Sequence, residues 1–508
     1  MPQVLENHAN KEPAWAWTLA ALAIAVGALP LLLTTPAPLQ DWPSHLARIF
    51  MMKAILEGPS FWDRFYDFNS LLLPNATMDI FILALMRAGF SINWAGRIFL
   101  LICYGLFISG VWRLARATGT GSPLKALLGA FLFYNAAVFF GLVNFQLGLA
   151  VLLWCVALWL CAGTGGRLAL AVIGTAVIFL CHLVDAFLYV GIIGILDLYA
   201  LVANRGRGVF RSVSIVALGT AMALLRLSPT GGDVFVANWT GAGSVLAVVY
   251  WKAGIFIKTM LGGAPFADLA FVGGAVLLLA VVTLGCRVRL SRQMAVVVAA
   301  IVVVTLASPQ RLGAGSLMDY RIAAVPFLFA VACARITPRG LVWARAVVLV
   351  AAAAVIARAG ALTLAWSEDN VAFAQLDEAL AKLPPGGALL GGYGRPTNRV
   401  SWSEYWSLPA GNSASWGVLH NLFVPTVFAH PFQQPLALKS DYRNWNVYAD
   451  VRDPAALAET RAKAAPLCAE FASGVHMLVV YPSAAGLPGM VRIGSAFGLL
   501  DLCSSSPE

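Results

Sequence analysis

The residues best placed to do chemistry in this sequence form one short stretch, Gln40-Asp41-Trp42-Pro43-Ser44-His45-Leu46-Ala47-Arg48. It supplies an acid, an imidazole and a guanidinium. A carboxylate at the edge of a low-dielectric region has a tunable basicity and can take a proton from an attacking hydroxyl. A purely local reading competes with this, in which Asp41 is the N-cap of a following helix and Pro43 lies in its first turn. Further polar residues recur along an otherwise apolar chain: Asp79, Arg97, Asn144, Gln146, His182, Asp185, Arg226, the run Asp319-Tyr320-Arg321, and Arg358. Several have a bland alternative: His182 as an interfacial histidine, Asp319 with Arg321 as a local ion pair or cap, and Arg226 and Arg358 as snorkelling cations. Together, carboxylates and arginines suit a reaction on a phosphate-linked lipid, because guanidinium forks bind phosphate bidentately.

The elements that must position these groups are membrane helices. Of 508 residues, 60% are hydrophobic and only 11% charged, which defines a polytopic membrane protein. The net charge of +10 falls mostly in short gaps between apolar runs. That is the positive-inside pattern rather than a nucleic-acid stripe. Six of the eight cysteines lie in or beside apolar segments, and no Cys or Cys/His spacing of metal-binding type occurs, so a divalent metal has no support and no cofactor is called for.

Trp15 to Leu33 is long enough to cross the hydrocarbon layer. A mixed-polarity loop follows, about 36–91, in which Asn75 to Phe90 carries Asp79 and Arg87 and reads as an interfacial amphipathic helix. Ten more spans are expected: Ile92–Arg113, Leu124–Val143, Phe145–Ala162, Leu168–Cys181, Leu183–Ala203, Val209–Leu227, Phe266–Gly285, Met294–Ala307, Ile322–Ile336 and Val342–Trp366. With the N-terminus inside, these eleven spans put nearly all basic clusters on the cytoplasmic face. The unusual polar residues then gather near the outer face, where ionisable groups at membrane depth mark a pathway or a site. The arrangement divides the chain into a transmembrane module, 1–366, and an extracytoplasmic tail, 367–508. In the tail, Asp369–Lys382 reads as an amphipathic helix, Pro384-Pro385-Gly386-Gly387 as a turn, Pro454–Phe471 as a helix, and Ala388–Leu390 and His476–Tyr481 as strands. A small α/β domain is the expectation there, and in an oxidising compartment Cys468 and Cys503 could pair.

One span, an acid at its outer end, a long loop ending in Asp79-Ile80-Phe81-Ile82-Leu83-Ala84-Leu85-Met86-Arg87-Ala88-Gly89-Phe90, and Trp94-Ala95-Gly96-Arg97 entering the second span form a recognisable pattern. It resembles the GT-C superfamily of polytopic glycosyltransferases, in particular bacterial enzymes that move a sugar from a polyprenyl-phosphate carrier onto a lipid, glycan or protein. The segments Gly141–Leu149, His182–Ala186 and Phe423–Pro435 also look like uncharacterised bacterial membrane proteins grouped near that superfamily. The resemblance implies that Asp41 is the catalytic base of an inverting transfer and that Arg97 matches the arginine opening the second span. Many relatives carry paired acids at the first position, whereas Trp42 follows Asp41 here, which weakens any claim of a metal site and leaves open whether Asp67 or Asp79 supplies a second acid.

The expected function is therefore sugar transfer at the outer face of a bacterial inner membrane, with membrane lipids, a polyprenyl-phosphate-linked sugar donor and an acceptor glycan, lipid or protein as partners. Asp41 and His45 are the candidate catalytic residues. Arg48, Asp79, Arg97, Asn144, His182, Asp185, Arg226, Asp319, Tyr320, Arg321 and Arg358 are the candidate substrate-binding ones. Arg321, Arg358 or Arg226 would neutralise the departing phosphate. In the tail, Trp402, Tyr405, Trp406 and His420 are candidate sugar contacts or a packed aromatic core. A lipid transporter or flippase and a non-catalytic scaffold are the rival readings.

Overall fold

The computed structural model describes residues 13–71, 73–203, 213–227, 237–238, 244–262, 264–312, 317–394, 412–429, 434–446, 449–451, 454–480, 487 and 489–504. Seven helices are long and apolar enough to cross a membrane: Ala14–Leu33, Ile92–Ala117, Val143–Cys161, Thr164–Cys181, Leu183–Ala203, Pro265–Gly285 and Leu341–Leu380. The protein is a polytopic helical membrane protein.

The four other expected spans are shorter or interrupted among the described residues. The run 124–143 is broken into the helices Pro123–Phe133 and Ala136–Phe139, and the longer has 11 residues that rise about 16 Å, roughly half the hydrocarbon thickness. Asn135 interrupts it: its Nδ2 donates to the Leu132 carbonyl at 3.1 Å and its Oδ1 accepts from the Ala137 amide at 2.9 Å, a local pattern that competes with helix continuation. The run 322–336 is broken into Met318–Ala323 and Val325–Cys333, with Pro326 in the first turn of the second piece. Val213–Leu227 and Arg292–Ala307 are helices of 15 and 16 residues, and Val245–Lys258 is one of 14. The last expected span runs on past its expected end. The last span and the expected helix at Asp369–Lys382 are one continuous helix, Leu341–Leu380, because no glycine or proline lies between Trp366 and Asp369 to stop it.

The chain divides into two compact units, each discontinuous in sequence. One gathers Met1–Leu32, Leu100–Val138 and Leu142–Thr363; the other gathers Leu33–Phe99, Phe139–Gly141 and Leu364–Glu508. The second unit holds a five-stranded sheet in the order Val491–Ile493, Phe497–Asp501, Val475–Val480, Ala388–Tyr393, Ala449–Asp450. Ala388–Tyr393 runs parallel to both of its neighbours, and the connection to Val475–Val480 includes the helix Pro454–Glu470. Phe497–Asp501 is antiparallel to both of its own neighbours. A disulfide between Cys468 and Cys503 joins that helix to the segment after the last strand.

The loop that follows the first membrane helix is built into this same unit. Tyr66–Phe68 pairs antiparallel with Leu436–Leu438, and the Tyr66 hydroxyl donates to the Val424 carbonyl at 2.6 Å. Phe65 stacks on Phe423 and Phe471, an aromatic cluster whose burial ties residues far apart in sequence. The helix expected over Asn75–Phe90 spans Thr77–Arg87. Asn75 before it and Gly89 after it both take positive φ, at 75° and 95°, which sets its limits.

Candidate active site

Asp41 occupies the N-cap position of the helix Trp42–Glu57, with Pro43 in the first turn, as local chemistry predicts. Its side chain, however, makes no cap hydrogen bond to that helix. The carboxylate is instead held by Asn412, whose Nδ2 donates to Oδ1 at 2.9 Å. The same Nδ2 lies 3.4 Å from the Gln40 carbonyl. The backbone at Asp41 is pinned from the other side, since the amides of Gln40 and Asp41 donate to the carbonyls of Phe139 and Phe140 at 3.0 and 3.1 Å. Gly141 completes that turn at φ +76°, and a Cβ there would lie 2.8 Å from the Asp41 backbone nitrogen. Only glycine satisfies both the left-handed backbone and the close approach. The Asp41 residue is half-buried, while Asn412 is buried.

His45 and Arg48 follow Asp41 at i+4 and i+7, the spacing that places all three on one helix face. Both are buried. The His45 Nε2 lies 3.2 Å from the Gly141 carbonyl and its Nδ1 lies 3.2 Å from the Arg48 Nη2. A neutral imidazole with its proton on Nε2 satisfies both contacts, donating to the carbonyl and accepting from the guanidinium. Arg48 in turn grips Asp79 through two parallel bonds, Nε to Oδ1 at 2.8 Å and Nη2 to Oδ2 at 2.9 Å, and its Nη1 donates to the Phe428 carbonyl at 3.3 Å. Both side chains of this pair are fully buried. Burial pushes the Asp79 carboxyl above the usual carboxylate range, and the neighbouring Arg48 charge works against that rise. Expected as substrate contacts, Arg48 and Asp79 are thus directed at each other. Ser44, one residue before His45, adds a contact to the C-terminal part, its Oγ lying 3.1 Å from the Ser415 Oγ and accepting from the Phe428 amide at 3.0 Å.

Arg97 sits half-buried in the same unit with its guanidinium 4.4 Å from the Trp94 ring centroid, and no carboxylate among the described residues pairs with it. Asp67, the other candidate second acid, is largely exposed and 3.6 Å from the Lys439 Nζ.

The other unit brings together a different set of the expected residues. The Arg321 Nη1 hydrogen-bonds to the His182 Nε2, and the His182 Nδ1 lies 3.8 Å from the Asp185 Oδ2. Asp185 is fully buried, and neither of its carboxylate oxygens accepts a hydrogen bond among the described residues. Gly148 makes room for it, since a Cβ there would lie 2.3 Å from Oδ2. Asp319 is held by Lys252 at 2.9 Å and by the Trp251 indole at 3.2 Å, with the Lys252 ammonium also donating to the Ser308 carbonyl at 2.6 Å. Asp319, expected as a substrate contact with a local pair to Arg321 as the alternative, has Lys252 as its cation. The Tyr320 carbonyl accepts from the Thr259 hydroxyl at 3.2 Å. Asn144 is buried at the start of Val143–Cys161, and Gln146 two residues on lies 3.5 Å from the Asn135 amide nitrogen.

Arg358 is the clearest departure from expectation. It neither snorkels nor offers its charge to a phosphate: it is 2% exposed, and its guanidinium donates to the carbonyls of Phe131, Met260 and Tyr134 while stacking 4.1 Å from the Phe271 ring centroid. It closes helix ends whose carbonyls have no intrahelical partner. The side chain of Arg226 and the residues Trp402, Tyr405 and Trp406 lie outside the described residues. His420 hydrogen-bonds to Asp377 at 2.8 Å, which also accepts from the Trp416 indole at 2.9 Å. Among the described residues, no group of three His, Cys, Asp or Glu side chains is arranged to hold a metal ion.

No family model matches the sequence, and no curated protein matches it. Two solved structures share its fold: ArnT from Cupriavidus metallidurans in the apo state, and the same protein bound to undecaprenyl phosphate. Each aligns with a TM-score of 0.54 over 97% of this chain and 99% of the other, at 14% identity. The likeness is one of fold, a polytopic helical membrane protein aligned over nearly its whole length.

Proposed function

We propose that this integral membrane protein is a GT-C-type glycosyltransferase that moves a sugar from a polyprenyl-phosphate carrier to an acceptor hydroxyl, with Asp41 as general base. The observation that carries the reading is the Asp41 carboxylate itself. It declines the helix-capping role its position offers, it is oriented by Asn412, and it belongs to a half-buried residue where Asp79 is fully buried against Arg48. The likeness to ArnT, one of whose structures holds undecaprenyl phosphate, supports the lipid carrier.

In an inverting transfer the acceptor oxygen attacks the anomeric carbon as the bond from that carbon to the phosphate oxygen breaks. The acceptor proton passes to Asp41, and the carrier leaves as polyprenyl phosphate. The leaving phosphate requires a cation. Arg48 is directed at Asp79, so the candidate in the same unit as Asp41 is Arg97, tested by Arg97→Gln. A bacterial inner membrane is the setting in which such a carrier is found.

The test is turnover of a panel of radiolabelled polyprenyl-phosphate sugars by the purified chain, with Asp41→Asn alongside. A positioned general base contributes typically about 10² to 10⁴-fold, so the variant should bind carrier and lose turnover by that factor. Undiminished turnover in the variant removes Asp41 from the chemistry. Failure of the wild-type chain to bind any carrier lipid removes the transferase reading.

A further inference from the structure

We propose that a two-stranded ribbon in the first unit is a binding surface for anionic phospholipid head groups, distinct from the candidate active site. Cys286–Arg289 pairs antiparallel with Arg335–Pro338, in the register Cys286 to Pro338, Arg287 to Thr337, Val288 to Ile336 and Arg289 to Arg335. Side chains of directly paired residues share a face of a ribbon, and alternate residues along a strand share it too. Arg287, Arg289 and Arg335 therefore stand on one face, with Thr337 beside them, and all four are exposed.

Arg289 and Arg335 are directly opposite each other, an arrangement of like charges that disfavours the pairing unless an anion lies between them. No carboxylate among the described residues pairs with any of the three. Arg339 follows at once, exposed, its amide donating to the Gly285 carbonyl at 2.8 Å and its Nη1 to the Leu284 carbonyl at 3.1 Å, so that it caps the preceding helix rather than neutralising the ribbon.

What fixes the occupant is where the ribbon sits along the chain. The membrane-length helix Pro265–Gly285 runs into Cys286 with no intervening residue, and the membrane-length helix Leu341–Leu380 begins three positions after Pro338. Gly285 locks the corner, since a Cβ there would lie 2.0 Å from the Trp343 ring of the later helix. The arginine face is thereby held at the end of two membrane helices, at head-group level, where the abundant anions are lipid phosphates. By the positive-inside rule this is the cytoplasmic leaflet. Three guanidinium groups on a rigid ribbon offer a lipid phosphate several donor pairs, which freely mobile loop arginines do not.

The experiment uses the purified full chain in neutral detergent, titrated with phosphatidylglycerol or phosphatidylcholine in mixed micelles, with bound lipid read by native mass spectrometry. Each arginine near an anionic surface contributes about fivefold to affinity, so Arg287→Gln, Arg289→Gln and Arg335→Gln together should weaken phosphatidylglycerol binding on the order of 100-fold. Phosphatidylcholine binding should not change. Because the three side chains are exposed, thermal stability in neutral detergent should be retained. A second triple variant, Lys53→Gln with Lys382→Gln and Lys463→Gln, removes the same charge elsewhere and should leave lipid affinity intact. The proposal is overturned if the ribbon variant keeps its phosphatidylglycerol affinity, if the lysine variant loses as much, or if millimolar inorganic phosphate displaces the lipid.

Discussion

Two aspartates in this protein each depend on a glycine that a methyl group would displace, and they depend on it in opposite ways. At Asp41 the glycine is Gly141, and it presses on the backbone nitrogen, fixing the main chain while the carboxylate is aimed by Asn412 from a half-buried position. At Asp185 the glycine is Gly148, and it presses on the carboxylate itself, which is fully buried beside His182 with no hydrogen bond to either oxygen among the described residues. The first arrangement orients an acid that can meet another molecule. The second encloses one beside His182, away from anything arriving from outside. Location near an expected membrane surface made the two look alike; their surroundings separate them.

The widest separation should come from a third acid. Asp79 lies in the same unit as Asp41 but is fully buried in its bidentate pair with Arg48. Removing one member of a buried pair leaves an uncompensated charge, which costs about 3–5 kcal/mol. Asp79→Ala should therefore unfold at markedly lower denaturant or temperature and lose activity through misfolding, whereas Asp41→Asn should unfold like wild type while losing turnover. Equal thermal stability of the two variants would show that Asp79 is not the structural acid inferred here.

The paired glycines provide the next test. Gly148→Ala drives a methyl group into the Asp185 carboxylate within a packed region, and overpacking of that kind costs about 1–3 kcal/mol. Its effect should appear in the melting temperature. Gly141→Ala carries a comparable backbone cost, about 1–3 kcal/mol for a non-glycine residue at positive φ. Its Cβ also meets the Asp41 amide, so it should lower turnover beyond what its stability loss explains, measured as specific activity of the folded fraction. A Gly141→Ala protein that turns over normally would disconnect this turn from the chemistry.

The sequence exposed the parts of this design that are local. Apolar run length announced the membrane helices, and the proline after Asp41 announced the helix start. It did not expose which carboxylate each arginine meets, because such pairing depends on contacts between distant segments. Arg48 finds Asp79 at a separation of 31 residues, and Asp41 finds Asn412 at 371. Asn412 lies in a Gly-Asn-Ser stretch with no periodic pattern, so nothing in its neighbours marked it. Arg358 was misread for a related reason. An arginine near a helix end suggests a phosphate contact or snorkelling, but helix breaks at Tyr134 and after Lys258 leave carbonyls that this guanidinium satisfies.

Asn412 therefore sets the finest test of the contrast between an aimed acid and an enclosed one. A hydrogen bond to a charged group contributes about 1.5–3 kcal/mol when both partners are desolvated, and less at a half-buried carboxylate. If the bond aims Asp41 rather than merely joining two segments, Asn412→Ala should reduce kcat on the order of tenfold with KM for the carrier lipid nearly unchanged. That split is the mark of an interaction used in the transition state and not in substrate binding. A purely structural role would instead lower melting temperature and leave kcat of the folded protein alone. Combining Asn412→Ala with Asp41→Asn distinguishes the cases further: once the carboxylate is gone there is nothing left to aim, so the double variant should turn over no more slowly than Asp41→Asn by itself. Additive losses would mean that Asn412 acts independently of Asp41.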